Sequence, residues 1–329
     1  MSAIDRDALY RQNYDALSAS EREKVLRSLA AADPRFQLLR FERFERFGAL
    51  TETAIFTCAG KEFVFVPGDT VTLGWDSFTE GMDERTNAAM ARALAEFEIT
   101  DIEGFIAEST SPVRQVTIAP MLAEREVGVV GWREVAPDSP ELAPLKSEIE
   151  QNRKYITPDR GFEIHETLRV SHIDGRQVWE IYDPISLREL IEKTHASGFA
   201  LPTEDEWEYL CACGKRTLFR WGDSFDFDMK LLHFSRDKPA DAPYSLKLPN
   251  GFGLSIAYDP YKMEVMENSE YFLKGGDGGC NICGGAGMVF GYFPVSAFFR
   301  STSLSDDDLG YQSDIGGDYT FYRRIVRLG

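Results

Sequence analysis

The apolar positions along this chain change their rhythm near residue 58. Up to about residue 55 they recur every three or four residues, the spacing of one helix face. Ser20 and Glu23 have the form of a capping box ahead of Val25, Leu26 and Leu29, and Asp33-Pro34 stops that helix. Phe41, Phe44 and Phe47 lie three apart with Arg and Glu between them, which predicts a second helix whose aromatic stripe packs on a core. Residues 1–55 therefore read as a helical lead-in that docks on a main domain spanning 56–329.

From Cys58 the pattern turns to alternation. Lys61–Gly68 reads as a strand ending in a turn, and Val71–Trp75 as a second strand. The alanine-rich run 84–97 predicts a helix. Alternation returns at Val113–Ile118 and Ala123–Trp132. Residues 135–162, rich in Pro, Glu, Lys and Asp, read as a surface excursion within an insertion around 80–165. Val170, His172 and Ile173 belong to one strand and Val178–Tyr182 to another. Two helices follow: Leu187–Thr194, capped by Ser186 with Glu189 and ended by Gly198, and Glu204–Ala212, capped by Thr203 with Glu206 and ended by Gly214. Past Gly214 the chain is rich in loops. Helices and strands mix without regular alternation, which predicts an α+β fold. No GxGxxG or P-loop follows a strand, so nucleotide binding has no support.

Composition narrows the function classes. The 329 residues, 43% apolar with 23 Phe, suffice for a large core without crosslinks. A formal net charge of -18 repels phosphate backbones and anionic lipid, so neither a nucleic acid nor a membrane is expected as partner, leaving an unknown protein or peptide. No apolar run is long enough to cross a membrane, and the polar N-terminus has no secretory signal pattern. With five cysteines, an odd number, these features predict a cytoplasmic protein with reduced thiols.

Four of the cysteines stand in two glycine-flanked pairs. Residues 275–287 hold seven glycines around Cys280-x-x-Cys283, the form of a metal knuckle, and Cys211-x-Cys213 precedes Gly214 at the end of a helix. Together they could close a structural Cys₄ zinc site. Alternatively, Cys280 and Cys283 alone form a copper or thiol-redox centre, or all four are free thiols. Cys211 lies four residues after Trp207 and so shares its helix face, as an inert core thiol would.

Several segments, taken in order, resemble formylglycine-generating enzymes, the sulfatase-modifying-factor family. Phe63–Gly74 resembles the family's opening hairpin, and Glu124–Val127 its next strand. Gly198–Tyr209 resembles its signature helix. Trp221–Asp223, Asn250–Leu254 and Leu273–Gly276 follow in register, and Phe299–Ser301 and Arg324–Leu328 resemble its closing strands. The resemblance implies a large variant of the C-type-lectin-like fold. It further implies one of three uses: an oxidase acting on a cysteine, an iron-dependent sulfoxide synthase, or a non-catalytic recognition or scaffold module. For the oxidase, the family's first copper cysteine falls on Cys280. Its second falls on Gly285, leaving Cys283 as the available partner, with Arg300 and Ser301 lining the site. Soft thiolates suit copper(I). The synthase needs histidines, and His165, His172, His195 and His233 show no metal-ligand spacing. The family's calcium loops imply Asp259 and Glu264 as oxygen ligands.

Overall fold

A computed structural model of the chain describes residues 5–78, 81–157, 160–173, 175–267, 271–300 and 311–328. It is a mixed α+β structure in two compact units, one formed by 1–128, 193–305 and 321–329, the other by 129–192 and 306–320.

In the larger unit a five-stranded antiparallel sheet runs in the order Gln37–Arg46, Ala49–Cys58, Lys61–Val66, Met121–Glu124, Ile325–Arg327. The first two of these strands correct the expectation that the whole of 1–55 is helical. Phe41 and Phe44 sit on opposite faces of one strand rather than along a helix stripe, and Phe47 has left the strand altogether. Phe47 and Gly48 both adopt positive φ, 51° and 73°, and so make the two-residue turn of a hairpin; Ala59 and Gly60 repeat it at 48° and 76°. Side-chain alternation then builds two cores on one sheet. Ala54, Phe56, Phe63 and Phe65 face the helix Ala19–Ala32 through Leu26 and Leu29. Ile55, Val64, Val66 and Ala123 face a larger core holding Trp207, Tyr209 and Leu210 of the helix Glu204–Ala212.

The first long helix begins earlier than its sequence suggests. Its capping box is Ser18 with Glu21, because Ser18 is the residue whose backbone is extended (φ -64°, ψ 161°); Ser20 is already inside the helix. The boxes at Ser186 with Glu189 and Thr203 with Glu206 form as expected. The run at 84–97 gives the helix Glu84–Ala95, whose Thr86, Met90, Ala93 and Leu94 face inward at helical spacing. This helix and Ile102–Glu108 belong to the larger unit, and the second unit begins at Val129.

The smaller unit is a four-stranded antiparallel sheet in the order Trp132–Val135, Arg176–Tyr182, Leu168–Ile173, Phe162–Ile164. Val135, Leu142, Leu168, Val170 and Trp179 form its core.

Candidate functional site

The helix Glu204–Ala212 organises the region around the cysteines. Its four carboxylates leave in different directions, and each meets a cation from another segment. Glu204 takes both Arg300 Nε and Nη2 at 2.8 and 2.6 Å. Lys274 Nζ, on a side chain with no exposure, donates to Glu208 at 2.8 Å and to Glu204 at 3.3 Å. Arg114 joins Asp205 and Glu208, and Arg327 joins Glu206. Burial raises the Glu204 pKa, but the hydrogen-bonded Arg300 and the charges of Lys274 and Arg300 outweigh it and hold the carboxyl below its ordinary value. Arg300, expected to line the site, is thus committed to Glu204. Ser301 lies outside the described residues.

Lys274 ends a two-residue strand, Leu273–Lys274, that hands the chain to the glycine-rich segment. Two glycines there are required by close approach. A Cβ at Gly278 would meet the Gly291 carbonyl oxygen at 1.9 Å, and one at Gly279 would meet the Tyr261 ring at 2.3 Å. With those contacts open, Gly279–Cys283 forms one short helical turn. Cys280 and Cys283, three apart, share a face of that turn, and both are exposed.

Each sulfur has its own polar neighbour. Cys280 donates to Asp277 Oδ2 at 2.9 Å, and that hydrogen bond together with the carboxylate's charge raises the thiol pKa. Cys283 Sγ lies 3.2 Å from the Tyr261 hydroxyl. The Tyr261 ring stands 4.6 Å from the His233 ring, and Asp259 Oδ1 binds both His233 Nε2 at 2.9 Å and the Tyr261 backbone N–H at 3.1 Å. One carboxylate thereby fixes the histidine and the tyrosine that contacts Cys283.

The other expected ligands are placed differently. Cys211 and Cys213 are buried, and burial pushes their thiols up to about 12 and about 11. Among the described residues no group of three or more His, Cys, Asp and Glu side chains stands together as metal ligands do. Glu264 is buried and bound by Arg323 through both oxygens at 3.0 and 3.1 Å, while Asp259 serves His233 and Tyr261. Both carboxylates thus accept from neighbouring protein donors.

Sequence reasoning missed Asp277, Tyr261 and His233 as neighbours of the thiols. Asp277 lay within the glycine-rich motif, three residues before Cys280, and was readable from it. Tyr261 and His233 carried no signal, because they come from loops 22 and 50 residues away from Cys283. No helix among the described residues is long and apolar enough to cross a membrane. No protein-family model matches the chain, and no curated protein matches it.

Proposed function

We propose that the chain is a divergent member of the formylglycine-generating-enzyme family, with that family's C-type-lectin-like fold, and that it performs metal-dependent oxidation of a thiol or cysteine at Cys280 and Cys283. The observation that carries this reading is the contrast between the two cysteine pairs. Cys211 and Cys213 are sealed in the core, whereas Cys280 and Cys283 face solvent on one helical turn, each against a polar side chain.

Copper(I) fits this donor set, since two soft thiols three residues apart can serve a low-coordinate soft cation without a third ligand. When bound, it would supply a centre for activating dioxygen beside a substrate thiol. The chain's own residues have separate tasks. Asp277 accepts the Cys280 S–H hydrogen bond and so favours that thiol over its thiolate. The Tyr261 hydroxyl orients the Cys283 sulfur, and Asp259 keeps Tyr261 and His233 in place.

Titration with copper(I) against a competing chelator tests the reading. The expected result is one bound equivalent in the parent chain, lost in both Cys280→Ser and Cys283→Ser, with oxygen uptake when a thiol peptide is added. Equal copper retention by the parent and the doubly substituted chain would sink it.

A further inference from the structure

The larger unit holds two guanidinium groups that are held by carbonyls alone. Arg220 is 4% exposed. It donates through Nη1 to the Ile256 carbonyl and through Nη2 to the Leu246 carbonyl, the latter at 3.0 Å. Arg46 donates through Nη2 to the preceding carbonyl, that of Ser245, at 2.7 Å. Ser245–Lys247 is one 3₁₀ turn, so the two side chains arrive at adjacent acceptors. Burial lowers both pKa values, and the charge of Arg46 lowers that of Arg220 further. Among the described residues neither side chain has a carboxylate at ion-pair distance. Lys215 Nζ on the Phe47 carbonyl, and Lys230 Nζ on the carbonyls of Pro239, Ala240 and Ala242, add positive charge around the same loop.

A guanidinium sealed from water without a counter-charge is among the costliest groups a fold can bury. Three native groups near Arg220 could supply that charge, and each is otherwise committed. Burial pushes the Cys211 and Cys213 thiols up to about 12 and about 11, so both stay protonated at neutral pH. Glu264 is held by Arg323 through both oxygens. Meanwhile each guanidinium keeps a buried Nε with no partner, and Thr51 Oγ1 is a third such atom. Thr51 shares a sheet face with Arg46, because Arg46 pairs with Ala49 and Thr51 is the next residue on that face. We infer that one halide ion, chloride in ordinary salt, binds between Arg46 and Arg220 and accepts from both Nε–H groups and the Thr51 hydroxyl. The donor set favours a monatomic anion. Phosphates and carboxylates are gripped by a two-pronged fork, and both Nη nitrogens of Arg220 are already spent on carbonyls. The ion would tie the turn after Arg46 to the 245–256 loop. The site involves neither Cys280 nor Cys283 and goes beyond the proposed oxidation.

The test compares anions at constant ionic strength, because any salt screens a chain of net charge -18. The full chain is exchanged into sodium gluconate, whose anion is too large for the site. Replacing gluconate by chloride at about 0.15 M should raise the thermal midpoint saturably, by about 2–4 °C, and bromide should do the same. Arg220→Met removes the buried charge while keeping an apolar side chain of similar reach, so it should fold and show no chloride increment. Arg46→Met, on the more accessible side chain, should lose the increment too, whereas Cys280→Ser with Cys283→Ser should keep it. A bromide-soaked crystal of the unaltered chain should show one anomalous peak in contact with both Nε atoms. If Arg220→Met does not fold, the Arg46 variant and the crystal decide. Equal midpoints in chloride and gluconate, an increment that survives the arginine substitutions, or ordered water in place of the bromide peak would each overturn the inference. A larger increment from sulfate or phosphate than from chloride would overturn the assignment to a monatomic anion.

Discussion

At the scale of single residues, Cys280 and Cys283 are chemically distinct despite sharing a turn. The Asp277 carboxylate accepts the Cys280 S–H at 2.9 Å and raises its pKa, so deprotonating that thiol means placing two negative charges side by side. Replacing Asp277 by Asn removes the charge. The Cys280 pKa then falls toward the ordinary thiol value and its thiolate fraction rises at any pH below that value. Iodoacetamide labelling with mass mapping should show Cys280 of Asp277→Asn modified several-fold faster at pH 7–8 than in the parent chain, its pH profile displaced to lower pH, and Cys283 little changed. An unchanged Cys280 profile would mean that the hydrogen bond does not control the thiol. The sequence makes the cysteine pairs visible because spacing and glycine content are local properties. Helical spacing puts Cys211 on the Trp207 face, but the full burial of Cys211 and Cys213 comes from a helix packed under a sheet whose strands lie 80 and more residues away, which no local pattern carries.

At the scale of elements, the helix Glu204–Ala212 is held by charges as much as by its apolar face. Lys274 has no solvent exposure, and its ammonium depends on Glu208 and Glu204. Glu208→Gln removes the nearer carboxylate and leaves a buried cation poorly compensated, a change that costs about 3–5 kcal/mol when a buried pair is broken. Chemical denaturation should register that loss, and the double substitution Glu208→Gln with Lys274→Met should recover much of it. Glu204 adds a pH dependence of known sign. Its folded pKa is depressed, so its contribution is present above the ordinary carboxylate value and disappears as the pH falls through the lowered one. The capping boxes of this helix and of the one after Ser186 are legible because they depend on residues three apart. The strand Gln37–Arg46 is not, since its phenylalanines happen to lie three apart while its identity is set by pairing with Ala49–Cys58 through the Phe47-Gly48 turn. Pairing partners and positive φ at a non-glycine residue are both invisible to periodicity, and so the hairpin reads as a helix.

At the scale of the whole molecule, charge and burial act together. The formal excess is 18 negative charges, and many of the 36 basic residues are already spent. Arg114, Lys274, Arg300, Arg323, Arg324 and Arg327 each pair with a buried or half-buried carboxylate, forming neutral units that contribute little to the outer field. The excess must therefore be carried by the remaining, mostly exposed, acidic side chains. Polyanion binding requires several cations that can displace condensed counterions, and each one that is already paired inside the protein is lost to that purpose. Even exposed cations can be engaged: on the helix Glu84–Ala95, Arg85 lies over the Phe227 ring and Arg92 donates to the Ala88 carbonyl, so they add little grip on a phosphate backbone against the repulsion of the rest of the chain. At an ionic strength of about 0.15 M, where fields decay over roughly 8 Å, the chain should neither retard duplex DNA in a gel nor sediment with phosphatidylserine vesicles. Lowering the salt should weaken any residual association further, opposite to the behaviour of a protein that releases counterions on binding. A gel shift that strengthens as salt is withdrawn would show that a cationic surface forms despite the net charge.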